Sequence, residues 1–244
     1  MKSEVRSPKS EAGSSEVSER EKILSRIREA LKVTAHAPGS HDGAPLPASS
    51  RSPVSSARRW LPKVGETLEE HIALFSKTAA GLKAEFRLFN SADEMRQALV
   101  RLRDSENWKR AACHSGGLTD ATCPALNIPL LRTGRPYEVQ GLEACDAGIT
   151  ECDALIAQTG SVLVTSRSAG GRALSVLPPH HVVLARREQM LPDLTAAFDL
   201  LKRKYAENYP SFISFITGPS RTGDIERILV LGAHGPKKLT ILCL

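Results

Sequence analysis

The residues best suited to chemistry are concentrated in one stretch, residues 217–236, which reads TGPSRTGDIERILVLGAHGP. Gly218 and Pro219 end a run of strand-forming residues, because Gly permits unusual backbone angles and Pro has no N–H. Arg221 carries a fixed positive charge whose fork of donors suits a carboxylate or a phosphate. The stretch therefore predicts a turn that binds an anion.

Two turns flank the charged residues of this stretch. Ser220 or Thr222 would cap a short helix that begins near Asp224, and the N–H groups and dipole of a helix start attract anions. The same residues also fit a capped helix and a tight hairpin in which Arg221 pairs with an acid, and residue chemistry leaves both interpretations open. The candidate side chains are Ser220, Arg221, Thr222, Asp224, Glu226 and His234.

Other polar residues lie at the predicted ends of strands, where open α/β sheets bind their ligands. Arg172 follows a Gly-rich loop, and an Arg at the mouth of a sheet usually has a carboxylate partner. His180 follows two prolines, which favours either a proton donor or a buried structural histidine. For Thr150, Glu151, Thr159 and Gly160, an ordinary role in capping or forming a turn is also possible. The set is Thr150, Glu151, Thr159, Gly160, Arg172 and His180.

Several known chemistries have no motif in this sequence. It contains neither the Gly-rich dinucleotide fingerprint nor the phosphate-binding loop of nucleotide hydrolases. Its five cysteines form no C-x-x-C pair, which argues against a zinc or iron–sulfur site held by this chain alone. We therefore expect no cofactor in this chain.

Composition limits the class of protein further. The chain has 244 residues and a net charge of +6, and most of the excess charge lies within the first 60 residues. An aromatic content of 5% without a basic stripe argues against a nucleic-acid partner. No run of about 18 apolar residues is present, and residues 1–22 lack a secretory signal, so we expect a cytoplasmic protein without a membrane span.

Step by step along the chain, apolar spacing predicts alternating helices and strands, which is typical of a mostly parallel sheet flanked by helices. Helices are expected at residues 66–82, 93–103, 118–126 and 191–205. Strands are expected at residues 84–89, 110–114, 129–132, 154–157, 162–165, 181–185 and 212–216. Residues 172–177 are expected to form a strand or another extended piece. Residues 146–153 are expected to form a turn.

The N-terminal residues 1–59 are predicted to be a polar leader, separate from a folded domain at residues 60–244. Residues 1–19 have the composition of a disordered segment. Residues 20–32 place apolar side chains at helical spacing and predict one amphipathic helix. Residues 33–58 are rich in Pro, Ser, Ala and Gly and predict a linker.

Six runs of this sequence, in the same order, resemble the LUD-domain family, specifically its LutC-type lactate utilization proteins (YkgG-like). The resemblance covers roughly residues 65–244, and the last two runs are the most specific. The runs are GITECDA at 148–154, QTGS at 158–161, GR at 171–172, LPPHH at 177–181, ITGPSRTGDIE at 216–226 and LGAHGP at 231–236.

The resemblance implies a fold like the NagB/RpiA/CoA-transferase group, with a domain like 5-formyltetrahydrofolate cyclo-ligase. It also implies a role in oxidising L-lactate to pyruvate together with two cysteine-rich iron–sulfur partner proteins. Gln158 departs from the family pattern, which often has Glu at this position.

Three hypotheses remain open at this stage. The chain is a carboxylate-binding subunit of a lactate-oxidising complex, a stand-alone enzyme or binding protein for a phosphate-, CoA- or folate-type ligand, or an assembly protein that docks through residues 20–32.

Overall fold

The computed structural model describes residues 19–32, 61–134, 137–225, 228–231 and 235–244. The chain divides into two compact units, residues 1–53 and 54–244. In the first unit, α1 (Glu19–Lys32) lies where the amphipathic helix is predicted, and its Ile23 and Ile27 are exposed. The predicted disordered segment and linker lie outside the described residues, and the boundary at residues 59–60 stays a prediction.

The second unit alternates helices and strands. Its helices are α2 (Leu68–Gly81), α3 (Ala92–Glu106), α4 (Gly117–Thr122), α5 (Val139–Glu143) and α6 (Leu194–Tyr205). Its strands are β1 (Glu85–Leu88), β2 (Ala111–Cys113), β3 (Leu130–Arg132), β4 (Ala147–Thr150), β5 (Ala154–Ile156), β6 (Ser161–Thr165), β7 (His180–Ala185), β8 (Met190–Leu191), β9 (Ile213–Ile216), β10 (Arg221–Ile225), β11 (Ile228–Leu231) and β12 (Lys238–Cys243).

A parallel sheet of six strands forms the framework, in the order β1-β12-β7-β4-β2-β3. Every residue of β2, β4 and β7 is buried. A parallel sheet covered on both faces is built from continuous apolar runs, and this explains why these strands show no polar alternation. The expected α/β architecture, a mostly parallel sheet flanked by helices, is confirmed.

A second sheet has four strands in the order β8-β5-β6-β9, and β10 and β11 form a separate hairpin. One face of the large sheet packs with α2 and residues of the second sheet, through a cluster that includes Phe75, Val164 and Val183. The opposite face packs with α3 and α4 through a cluster that includes Met95, Leu118 and Val182. The second sheet is therefore placed over the first face of the large sheet.

Helix ends follow local sequence signals. Ser91 caps α3 by accepting a hydrogen bond from the Glu94 N–H at 3.2 Å, as its position before an apolar pattern predicts. Asn107 ends the helix in the left-handed conformation, which Asn tolerates better than most residues. These two signals define α3.

Three predicted elements are wrong. Residues 147–150 form the central strand β4 rather than part of a turn, because burial between β2 and β7 outweighs the poor strand propensity of Ala and Gly. Residues 172–177 form turns rather than a strand. The helix expected near Asp224 is instead β10, whose Thr222 pairs with Val230 of β11.

No helix in the described ranges is long and apolar enough to cross a bilayer.

Candidate functional site

A cavity of about 230 Å³ lies between the large sheet and strand β9. Apolar side chains supply much of its wall, including Val176, Phe212, Ile216 and Leu239. Its polar lining residues are Ser175, His181, Ser214, Thr217 and Ser220. The cavity can therefore receive a small ligand with one apolar side and several hydrogen-bonding groups.

His181 is the titratable residue of this lining. It is almost fully buried on β7, and its Nε2 lies 2.9 Å from the Thr150 hydroxyl of β4. Burial, with a smaller contribution from His180, lowers the pKa of His181 to about 3, so the ring is neutral near pH 7. Its Nδ1 is buried without a hydrogen-bond partner among the described residues. Thr150, a predicted site residue, therefore does not line the cavity itself but hydrogen-bonds to His181, which does.

Two turns, one at residues 158–161 and one after β9, meet at the end of α2. The Ser161 and Thr217 hydroxyls lie 2.8 Å apart, which joins the QTGS turn to the turn after β9. Gly160 has φ +64° and approaches α2 so closely that an added Cβ would lie 2.8 Å from the Ala79 nitrogen. Gly218, at φ +88°, makes a similar approach to the Leu82 carbonyl. Both glycines are therefore required by backbone packing beside the cavity.

Among the residues whose side chains the structure describes, Arg221 has no acidic partner, and Asp224 and Glu226 are not in that set. The Arg221 guanidinium donates to the Leu82 carbonyl just after α2. The negative end of the helix dipole at this position also attracts a cation. The side chain is exposed, and Arg221 is not among the residues that line the cavity. The neighbouring Ser220 does line it, and its backbone N–H donates to the Pro236 carbonyl at 2.9 Å.

Glu151 has a structural role within the described residues. Its Oε1 accepts the Leu118 and Thr119 N–H groups at 2.8 and 3.0 Å, so the carboxylate occupies the start of α4. The Glu151 N–H donates to Nε2 of His114 at 3.0 Å. The Glu151 carboxylate therefore occupies the N–H donors at the start of α4 that could otherwise bind an anion.

His180 lies on the opposite face of β7 from His181, because successive side chains of a strand alternate. Its Nε2 bonds the Thr240 hydroxyl at 2.9 Å, and its ring packs edge-on to Trp108 at 5.3 Å between centroids. Burial lowers the pKa of His180 to about 4. Of its two predicted interpretations, the geometry agrees with the buried structural histidine.

The other predicted residues are dispersed or undescribed. Arg172 is exposed, and no side-chain partner is found for it among the described residues. The Thr159 hydroxyl is buried and likewise lacks a partner there. The side chains of Thr222 and Asp224, and the whole of Glu226 and His234, lie outside the described residues.

Sequence reasoning missed four of the polar lining residues: Ser175, His181, Ser214 and Thr217. His181 had one usable signal, since adjacent histidines in a strand must face opposite sides of a sheet. The serines had none, because they come from separate segments that meet only through topology.

Within the described ranges, no group of three or more His, Cys, Asp and Glu side chains is arranged to hold a metal ion.

Comparison with known proteins finds one family match in the C-terminal part of this chain. Residues 139–244 match the family model of the LUD domain. This range contains every residue that lines the cavity, from Ser175 to Leu239. It also supplies three central strands of the large sheet, β4, β7 and β12.

Curated relatives agree with this match. Over 104 residues the chain is 36% identical to lactate utilization protein C of Anoxybacillus flavithermus, covering 43% of this chain and 46% of the relative. Over 102 residues it is 35% identical to lactate utilization protein C of Bacillus subtilis, covering 41% and 42% of the two chains. The similarity thus spans less than half the length of these relatives.

A solved structure supports the fold over a longer range. The crystal structure of a DUF162 family protein from Deinococcus radiodurans superposes with a TM-score of 0.57 and 20% identity. The superposition covers 73% of this chain and 99% of that one. Residues 139–244 are therefore similar to the LUD domain, and a stretch of 104 residues is similar to lactate utilization protein C. The fold of the chain is similar to that of the DUF162 family protein.

Proposed function

We propose that this chain serves lactate utilization as a carboxylate-binding subunit that works with iron–sulfur partner proteins in oxidising L-lactate to pyruvate. The observation that carries the proposal is the cavity between the large sheet and β9. Its whole lining lies within residues 139–244, the part of the chain that matches the LUD domain.

The size of the cavity favours a small ligand. Sites for drug-sized ligands usually enclose roughly 300–1,000 Å³. The cavity here measures about 230 Å³, which suits a three-carbon acid better than a complete folate or CoA molecule. We therefore prefer lactate to the larger ligands of the alternative hypothesis.

The lining groups suit a hydroxy acid in this proposal. Hydroxyls of Ser214, Thr217 and Ser220 supply hydrogen bonds, and Phe212 faces the methyl end. Neutral His181 supplies a hydrogen bond rather than a charge, since its pKa is about 3. The positive charge comes from Arg221, whose guanidinium exchanges the Leu82 carbonyl for the ligand carboxylate.

A binding measurement tests the cavity directly. We expect isothermal titration of the full chain with L-lactate to show saturable binding that Ser220→Ala weakens roughly tenfold, the value of one hydrogen bond to a charged group. Ser211→Ala is the matched control, because Ser211 is exposed and outside the cavity. Equal affinity of both variants would remove the assignment of Ser220.

The assembly is tested by co-expression with cysteine-rich iron–sulfur proteins. The expected result is co-purification and L-lactate-dependent reduction of an artificial electron acceptor that requires this chain and is reduced by Ser220→Ala. Binding of lactate without co-purification would keep the cavity and reject the subunit role. Absence of both would favour a stand-alone protein, to be screened with phosphorylated and CoA-type ligands.

A further inference from the structure

A second cavity, of about 340 Å³, lies where α6 ends and the loop after β6 begins. Its lining includes three cations, Arg167, Arg203 and Lys204, and one acid, Glu207. Tyr205 contributes an aromatic ring between them. This cavity shares no residue with the one proposed to bind lactate.

A buried carboxylate fixes one side of the second cavity. The side chain of Asp153 is fully buried, and its Oδ1 accepts hydrogen bonds from Lys204 Nζ and the Tyr205 hydroxyl, both at 2.6 Å. Burial alone would raise the pKa of Asp153, but these hydrogen bonds outweigh it and hold the pKa below its usual value. Lys204 and Tyr205 are therefore held in place by an ionised group.

Arg167 is fixed on the other side. Its guanidinium donates to the Asn208 carbonyl at 2.9 Å and lies 5.3 Å from the centroid of the Tyr205 ring. Lys204 Nζ lies 5.4 Å from the same centroid, so two cations approach one aromatic ring. These contacts orient the charges before any ligand arrives, which lowers the entropic cost of binding.

The charges of this cavity are not balanced within the described part of the chain. Asp153 neutralises Lys204, whereas neither Arg167 nor Arg203 forms an ion pair with any described residue. One positive charge remains after Glu207 is counted. Basic residues in a last helical turn also offset the helix dipole, but that role needs no cavity and no fixed Arg167.

We propose that this second cavity binds the phosphate group of a small phosphorylated molecule. A phosphate has three oxygens that can accept from Arg167, Arg203 and Lys204 at once, and guanidinium forks suit it. A volume of about 340 Å³ also leaves room for the organic part of the molecule. The ligand binds independently of the lactate cavity.

Titration of the full chain at constant ionic strength tests the proposal, with inorganic phosphate and phosphoserine as probes and acetate as the carboxylate comparison. We expect saturable binding of both phosphate probes, with phosphoserine the tighter, and roughly tenfold weaker binding in Arg203→Gln. Arg203 has no described side-chain partner, so this variant keeps the fold. Lys202→Gln is the matched control, one residue away on the same helix and outside the cavity.

Unchanged phosphate affinity in Arg203→Gln would overturn the site. An equal loss in Arg203→Gln and Lys202→Gln would overturn it as well, because general surface charge would then explain the binding. Acetate binding as tight as phosphate would reject the ligand class. None of these results depends on whether the chain binds lactate.

Discussion

His180 and His181 show how adjacent residues acquire separate roles. The alternation of β7 sends His180 towards Trp108 and His181 towards the cavity, and both rings are buried. Burial lowers their pKa values from 6.5 to about 4 and about 3. Both side chains are therefore neutral in the folded protein at every pH near neutrality.

Acid should destabilise the fold through these two histidines. Below pH 6.5 the unfolded chain binds protons that the folded chain excludes, so the free energy of unfolding falls as pH falls towards the folded pKa values. Each histidine contributes a slope approaching about 1.4 kcal/mol per pH unit within this window.

Urea unfolding of His181→Gln at pH 7, 6 and 5 measures this effect at one position. Gln can still bond the Thr150 hydroxyl but does not titrate, so we expect the variant to lose stability less steeply than the natural sequence. This range lies above the usual pKa of 3.8 for Asp153, which keeps that carboxylate out of the difference. Identical slopes would show that His181 is not the source.

At the scale of elements, the reliable predictions are those with local signals. The helix α3 has apolar residues at helical spacing, Ser91 caps its start and Asn107 ends it. These signals are local, so the sequence predicts the helix at nearly its observed position. The strand β4 carries no such signal, because Ala147 and Gly148 are weak strand formers made extended by their neighbours. Hairpin pairing likewise overrides the apparent helix start at Asp224.

The candidate site follows the same division. Ser220 was predictable because it belongs to a turn with its own sequence signature. Ser175, His181 and Ser214 lie in three segments that only the sheet topology brings together, so one sequence could not identify them as neighbours.

Loss of the α3 cap should have a defined cost. Ser91→Ala removes the acceptor of the Glu94 N–H and should lower the free energy of unfolding by about 1 kcal/mol. Ser105→Ala is the matched control in the last turn of the same helix, where Ala has the higher helix propensity and should be neutral or slightly stabilising. Equal changes in urea unfolding would show that the cap contributes nothing.

At the scale of the whole molecule, the match to the LUD domain is smaller than the folded unit. The match begins at residue 139, yet β1, β2 and β3 of the large sheet come from earlier residues. The second unit, residues 54–244, contains all strands of both sheets. The unit that folds therefore includes more of the chain than the matched range.

Two truncations test this unit. Residues 54–244 should unfold in one cooperative thermal transition near that of the full chain, because they contain both sheets and their cores. Removal of residues 238–244 should prevent folding, since it deletes β12 from between β1 and β7. A folded protein without β12 by circular dichroism, or an unfolded 54–244 fragment, would contradict this view of the unit.

The place of β12 has a consequence for synthesis on the ribosome. In the large sheet β1 pairs with β12, and the partners Glu85 and Thr240 are separated by 155 residues. Such long-range pairing is slow, since loop closure must precede the stabilising contacts. As the chain emerges, β1 and β7 therefore expose unpaired edges until residues 238–243 leave the exit tunnel, and nascent chains of this protein should depend on chaperones that shield such edges.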